Sequence, residues 1–311
     1  MTSTHEPSFR KLAILGSGAI GSYYGARLAK SGMDVRFLAR TDAAVLRKEG
    51  IAVQLPDQRL EVKPIQAYTD PREIGPCDLV IIALKATGNT ALASLIPPLL
   101  HERTALLTLE NGLGSDELLA DHFGQERVMG GLCFIAANRT APGKISCVHP
   151  GSISLAEFGR PISERARELA TLFNRAGVIC QVSDDLAGLR WRKLVWNIPF
   201  NGLSITAGGI SVDRILADPT LVADVRSLMH EVITVAEQLG HSIPEGIIDQ
   251  QIQVTYPMGP YKPSSLIDYL AGREVEVEAI WGEPLRRAEK MGVAVPHLKA
   301  LHEKLVALMS G

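Results

Sequence analysis

Short, largely apolar runs recur through the first half of the chain, and each stops at a glycine or a polar cluster. Residues 12–15 end at Gly16, residues 35–38 end near Arg40, and residues 79–84 end at Lys85. Residues 104–109 lead into Asn111-Gly112, and residues 128–136 form one more run. Runs apolar on both alternating faces predict strands buried in a parallel sheet. Between them, residues 23–30 have helical character and stop at Gly32. Residues 91–100 read partly as helix, broken by Pro97-Pro98. Strands alternating with helices predict a doubly wound α/β domain.

The pattern then changes. Residues 144–155, set off by Pro142-Gly143 and Pro150-Gly151, read as short antiparallel strands finishing that sheet. Residues 164–176 read as helix and 178–182 as a short strand. Beyond Ser183-Asp184-Asp185 the spacing predicts helices over 186–198, 220–239, 247–253, 275–291 and 297–309. A boundary near Ser183 follows, with an α/β domain over 1–183 and an all-α domain over 184–311. The length of 311 residues agrees, at about 150 residues per domain.

Composition narrows the function classes. Charged residues are 21% and the net charge is -2, which argues against nucleic acid or an acidic membrane surface as partner. The longest unbroken apolar run, 79–84, is far short of the ~20 residues a membrane helix needs. Residues 1–10 are polar and do not read as a secretory signal. Cys77, Cys133, Cys147 and Cys180 show no C-x-x-C spacing and read as buried, reduced thiols of a cytoplasmic protein. The histidines are scattered without zinc-ligand spacing, so no metal is expected. A homodimer is compatible with the helical half.

Gly16-Ser17-Gly18-Ala19-Ile20-Gly21 is a G-x-G-x-x-G sequence between an expected strand and an expected helix. The first glycine makes a tight turn, the second lets backbone approach a pyrophosphate, and the third lets helix pack on strand. The helix start then offers unpaired N–H groups and a positive dipole end to the phosphates. The alternative is a strand–turn–helix that binds nothing. NAD-type versions carry an acid at the end of the second strand; here Arg40 stands there, and a guanidinium suits a 2′-phosphate. Asp42, two residues on, leaves discrimination against NAD open.

In the second half, Lys193, Asn197 and Asn201 stand at i, i+4 and i+8. On a helix they share one face, drifting about 40° per step. A lysine and two amides among apolar neighbours suit a small polar acid; a solvent-facing polar stripe is the other reading. Pro199 predicts a kink.

Together these residues resemble the ketopantoate reductase family over nearly the whole chain. The resemblance rests on the glycine loop, Lys85 after its strand, Asn111-Gly112 with Gly114, Pro142-Gly143 with His149, and the run from Trp191 through Asn201. It extends to Ser264-Ser265-Leu266, Asp268, Gly272-Arg273 and Glu276. The chain departs from the family pattern at Glu110, at Trp281 and near Ser211. The indole at Trp281 is expected to reshape the pocket.

The resemblance implies an N-terminal Rossmann-type NADP(H)-binding domain and a helical substrate domain. It implies reduction of 2-dehydropantoate to (R)-pantoate by NADPH, a step toward pantothenate and coenzyme A. Lys193 and Glu276 are the expected catalytic residues. Lys85, Asn197, Asn201 and Ser264 are expected to bind substrate, with Ser264 alternatively capping a helix. Gly16, Ser17, Gly18, Ala19, Ile20, Gly21, Arg40, Lys85, Asn111, Ala137 and Glu276 are expected to meet the cofactor. Asn111 reads alternatively as a plain turn residue, and Glu276 as an exposed carboxylate. A lysine acts as general acid when burial and cationic neighbours draw its pKa toward the working pH. Reduction of another branched 2-keto acid and a non-catalytic NADP(H) sensor are the competing readings.

Overall fold

A computed structural model describes residues 9–310; the polar start read over residues 1–10 lies, up to residue 8, outside the described residues. They form two compact units. One runs up to Glu110 and resumes over Ser115–Leu186; the other is Asn111–Gly114 with everything from Ala187 onward.

The first unit is a ten-stranded sheet. Its strands are β1 (Lys11–Leu15), β2 (Asp34–Leu38), β3 (Ile51–Gln54), β4 (Arg59–Val62), β5 (Gln66–Tyr68), β6 (Leu79–Ile82), β7 (Ala105–Thr108), β8 (Val128–Ala141), β9 (Lys144–Glu157) and β10 (Ile179–Ser183). The order is β4-β3-β9-β8-β7-β6-β1-β2-β5, with β10 added to β9. From β8 across to β5 every pairing is parallel. Helices α1 (Ala19–Lys30), α2 (Ala43–Glu49), α3 (Pro71–Ile74), α4 (Leu92–Leu95), α5 (Ser115–Phe123) and α6 (Glu164–Arg175) belong to this unit.

Alternate residues of a strand point to opposite faces, and two cores record it. Leu12 and Ile14 of β1 and Leu79 and Ile81 of β6 join one core with Tyr24, Leu28 and Phe173. Ala13, Leu15, Val80 and Ile82 join the other with Ile74, Leu92 and Leu119. This double burial is why those runs are apolar throughout.

Two expectations change here. Pro142-Gly143 does turn the chain between β8 and β9, with Gly143 at φ +70°. Pro150-Gly151, expected to separate strands, instead lies inside β9. Gly151 takes φ +53°, and the β8–β9 register slips opposite it, between Phe134 and Ala136. The pair marks a bulge, not a turn. The elements β3, β4 and β5 were not expected; the burial of β4 reaches only the half-buried level on alternate residues, so no apolar run announces it.

The second unit is helical: α7 (Leu186–Thr206), α8 (Val212–Leu216), α9 (Pro219–Gln238), α10 (Ile247–Thr255), α11 (Ser264–Leu270), α12 (Glu283–Met291) and α13 (Pro296–Ser310), with a π-helical turn over Glu278–Gly282. The pattern predicted helix only to residue 198. Instead α7 continues through Pro199 to Thr206. Ile198 and Phe200 on either side are fully buried, and that packing offsets the N–H that proline lacks. The helix expected over 275–291 begins as irregular chain, with the Val277 N–H turned back onto the Val275 carbonyl at 2.8 Å, and a π turn before α12.

No described helix is long and apolar enough to cross a membrane. Among the described residues no cluster of side chains could hold a metal ion. The four cysteines are buried and free.

Candidate active site

The glycine loop sits where β1 hands over to α1. Gly16 takes φ +104°, and a Cβ there would lie 2.8 Å from the Ala83 carbonyl oxygen. A Cβ on Gly21 would lie 2.1 Å from the Gly16 carbonyl oxygen. Neither position has room for a side chain. Gly18 differs: nothing lies within 4 Å of an added Cβ, and it is the N-cap of α1. The unpaired N–H groups at the start of that helix therefore meet an approaching anion with no side chain between. The first turn of α1 carries no acidic residue. These features fit a dinucleotide pyrophosphate.

The strand ends on either side are fastened to this loop. Gly16 donates its N–H to the Leu38 carbonyl at 3.2 Å, and Ala83 donates to Leu15 at 2.9 Å. The first bond brings the residues after β2 to the loop. Arg40 is exposed there and pairs with no other described residue. Asp42 is buried, and its carboxylate accepts from the Ser17 hydroxyl at 2.9 Å and from Thr41 at 3.1 Å. It also forms an ion pair with Arg139 of β8. The second bond brings the residues after β6 to the loop. Lys85 is half-buried there, at the start of a short 3-10 helix over Ala86–Ala91. Ala19 and Ile20 open α1. Ala137 pairs with Cys147 across the β8–β9 hairpin and packs partly on the core.

The second unit assembles its polar cluster from distant parts of the chain. Lys193, half-buried on α7, donates from Nζ to Asn111 Oδ1 at 2.8 Å. Asn111 thus belongs to the helical unit and is not a plain turn residue. The segment that carries it lies backbone to backbone against the π turn. Leu113 donates its N–H to the Ala279 carbonyl at 2.9 Å. Gly112 takes φ +82°, and a Cβ there would stand 2.3 Å from the same oxygen. Arg190 donates to the Gly112 carbonyl at 3.4 Å. A π turn inside a helix is a frequent mark of a functional site. Glu276, two residues before it, is 8% exposed, which removes the reading of it as a solvated carboxylate. Asn197, one turn after Lys193, is buried.

The other expected residues take more specific places. Asn201 is 2% exposed, and its amide oxygen accepts the Ser265 N–H at 3.1 Å. Its oxygen is therefore spent on holding the start of α11. Ser264 is the exposed first residue of that helix and makes no capping bond, so the capping reading is corrected. Trp281 does not reshape a pocket wall as expected. It is 0% exposed in the core of the helical unit and donates its indole N–H to the Ile198 carbonyl at 3.0 Å. Gly202 makes room for it, since a Cβ there would lie 3.0 Å from the indole nitrogen. The Ser211 hydroxyl bonds the Asp213 carboxylate. Glu110 is buried at the end of β7 and accepts from the Thr108 hydroxyl at 3.2 Å.

Sequence reasoning missed the Ser17–Asp42–Arg139 group and the attachment of residues 111–114 to the helical unit. The second had a signal: Gly112 and Gly114 both take positive φ, at +82° and +96°, and so mark a chain path that only glycine follows easily.

The family described as ketopantoate reductase PanE/ApbA matches residues 12–160, and its C-terminal counterpart matches residues 185–308. A 2-dehydropantoate 2-reductase of Nostoc is 38% identical over 301 residues, which is 95% of this chain and 94% of that protein. The crystal structure of a 2-dehydropantoate 2-reductase from Geobacter metallireducens superposes with a TM-score of 0.92 at 42% identity, covering 96% of this chain and 99% of that one. One from Methylococcus capsulatus gives 0.88 at 32% identity, with 96% of each chain covered.

Proposed function

The chain belongs to the ketopantoate reductase family, and on that premise we propose that it reduces 2-dehydropantoate to (R)-pantoate with NADPH. The observation that carries this reading is the 2.8 Å bond from Lys193 Nζ to Asn111 Oδ1. It holds an ammonium group in one place on α7, beside a buried amide, Asn197, one turn on.

Reduction of a ketone builds negative charge on its oxygen, and a fixed cation aimed at that oxygen lowers the barrier. When bound, NADPH supplies the hydride. Lys193 stabilises the developing alkoxide and gives it a proton from Nζ, so that keto acid, NADPH and one proton become hydroxy acid and NADP+. Glu276 orients the ammonium or the product hydroxyl and meets the nicotinamide ribose. Asn197 and Ser264 bind the hydroxyl and carboxylate of the substrate. Asn201 serves the site by holding the segment that carries Ser264. Lys85 serves cofactor and substrate carboxylate, and Asn111 and Ala137 border the cofactor. The loop from Gly16 to Gly21 takes the pyrophosphate and Arg40 the 2′-phosphate. Residues 1–183, apart from the segment Asn111–Gly114 that belongs to the helical unit, act as the NADP(H)-binding domain, and 184–311 as the substrate and catalytic domain. The protein works in the cytoplasm.

The test is NADPH oxidation, followed by its near-ultraviolet absorbance, with a panel of 2-keto acids. The expected result is the highest kcat/KM with 2-dehydropantoate. A higher value with another branched keto acid would replace the substrate and keep the chemistry. Tight NADPH binding with no turnover of any keto acid would leave only a sensor.

A further inference from the structure

Asp42 stands where an acid would spoil selection for a phosphorylated dinucleotide. It lies two residues beyond Arg40 and bonds Ser17 inside the glycine loop. NAD-type loops use an acid at the end of the second strand to hold the ribose hydroxyls, and an unpaired carboxylate there repels a 2′-phosphate. In this chain the carboxylate is fully engaged. Oδ2 accepts from Ser17 and pairs with Arg139, while Oδ1 accepts from Thr41. Asp42 is also the N-cap of α2, yet its side chain makes no capping bond. It faces the loop and β8 instead of the helix it precedes.

The cation comes from far along the chain. Arg139 lies on β8, opposite Ile145 in the long hairpin, 97 positions from Asp42. Its side chain is 41% exposed while that of Asp42 is 7% exposed. An ion pair with one partner this open contributes little to stability. Its consequence is electrostatic: it pairs the Asp42 carboxylate, two residues beyond Arg40, with a cation, and both Arg40 and Arg139 stay exposed.

We propose that Arg139 is a specificity-determining residue, which favours NADPH over NADH by masking Asp42 and so keeping the 2′-phosphate subsite at Arg40 positive. The proposal rests on the NADPH-dependent reading above and deepens it.

The test compares dissociation constants for NADPH and NADH, measured by calorimetry on the full chain without keto acid. Arg139→Gln is expected to weaken NADPH about tenfold, the size of an uncompensated like charge a few ångströms from the phosphate. NADH is expected to change by less than about threefold, because it has no 2′-phosphate to repel. Adding Asp42→Asn to Arg139→Gln removes the exposed carboxylate, and NADPH affinity is expected to return to within about threefold of the unaltered protein. Equal losses for both dinucleotides, with no recovery in the double variant, would mean that Arg139 only braces the loop and would overturn the proposal. An unchanged ratio of the two affinities in Arg139→Gln would overturn it as well. If the unaltered protein bound neither dinucleotide, the NADPH reading itself would fall, and that outcome is distinct from a failure of Arg139 alone.

Discussion

The glycine loop of the first unit and the lysine cluster of the second are built in opposite ways. The loop is one contiguous stretch, Gly16 to Gly21, whose demands are met by its own residues and the strand ends beside it. The cluster joins Lys193 to Asn111 across 82 positions and rests on a π turn more than eighty residues further on. A site whose geometry is local leaves its constraint in the spacing of a few residues. A site assembled over long range leaves only isolated residue types, and the fold supplies the meaning.

The sharpest way to break that comparison is at Lys193. Lys193→Ala is expected to lower kcat by about 10³-fold, the combined size of a lost general acid and a lost oxyanion partner. NADPH affinity is expected to stay within about threefold, because the glycine loop holds the pyrophosphate without it. Steady-state kinetics and calorimetry on the same variant check both halves. Unchanged kcat would remove the catalytic role of the cluster and leave α7 with a polar stripe.

Gly112→Ala tests how the cluster is held together. The added Cβ meets the Ala279 carbonyl, and alanine at φ +82° is itself strained. A loss of about 2–5 kcal/mol of stability is expected. Thermal unfolding should show it, together with reduced kcat, since Asn111 rides on the same segment. Gly18→Ala is the contrasting substitution. It has open space, so the fold should tolerate it while dinucleotide binding weakens. A stable, fully active Gly112→Ala would show that the backbone contact with the π turn does not matter.

These contrasts also show what the sequence could and could not reveal. The central parallel strands were legible because burial on both faces forces runs such as 79–82 to be apolar throughout. The edge hairpin β3–β4 was not, because alternate residues of β4 are exposed and the rest only half-buried. Pro199 read as a kink, since a missing N–H is a local fact, whereas the burial of Ile198 and Phe200 that carries the helix onward is a tertiary one. The glycine loop and the Lys193–Asn197 spacing were visible as motifs. That Asn201 holds Ser265, and that Arg139 reaches Asp42, depends on chain paths that no spacing encodes.

On the local side of the comparison, Arg40→Ala is expected to weaken NADPH by about 10–100-fold, the loss of one or two charge-assisted bonds to phosphate. NADH binding should be nearly unchanged. Arg40 is exposed and pairs with no other described residue, so its removal leaves the fold untouched. An equal loss for both dinucleotides would show that Arg40 does not read the 2′-phosphate.

The smallest effect is expected at Trp281, and it separates packing from specificity. The indole is buried in the helical core, its N–H bonded to the Ile198 carbonyl at 3.0 Å and its ring fitted over Gly202. Trp281→Phe removes that donor and part of the ring, at a cost of about 1–3 kcal/mol. Since the side chain lines no exposed wall, the ranking of 2-keto acids by kcat/KM should stay as it is while the unfolding temperature falls. If the ranking changed with stability intact, Trp281 would act on the substrate after all, and the departure from the family pattern at this position would belong to the pocket and not to the core.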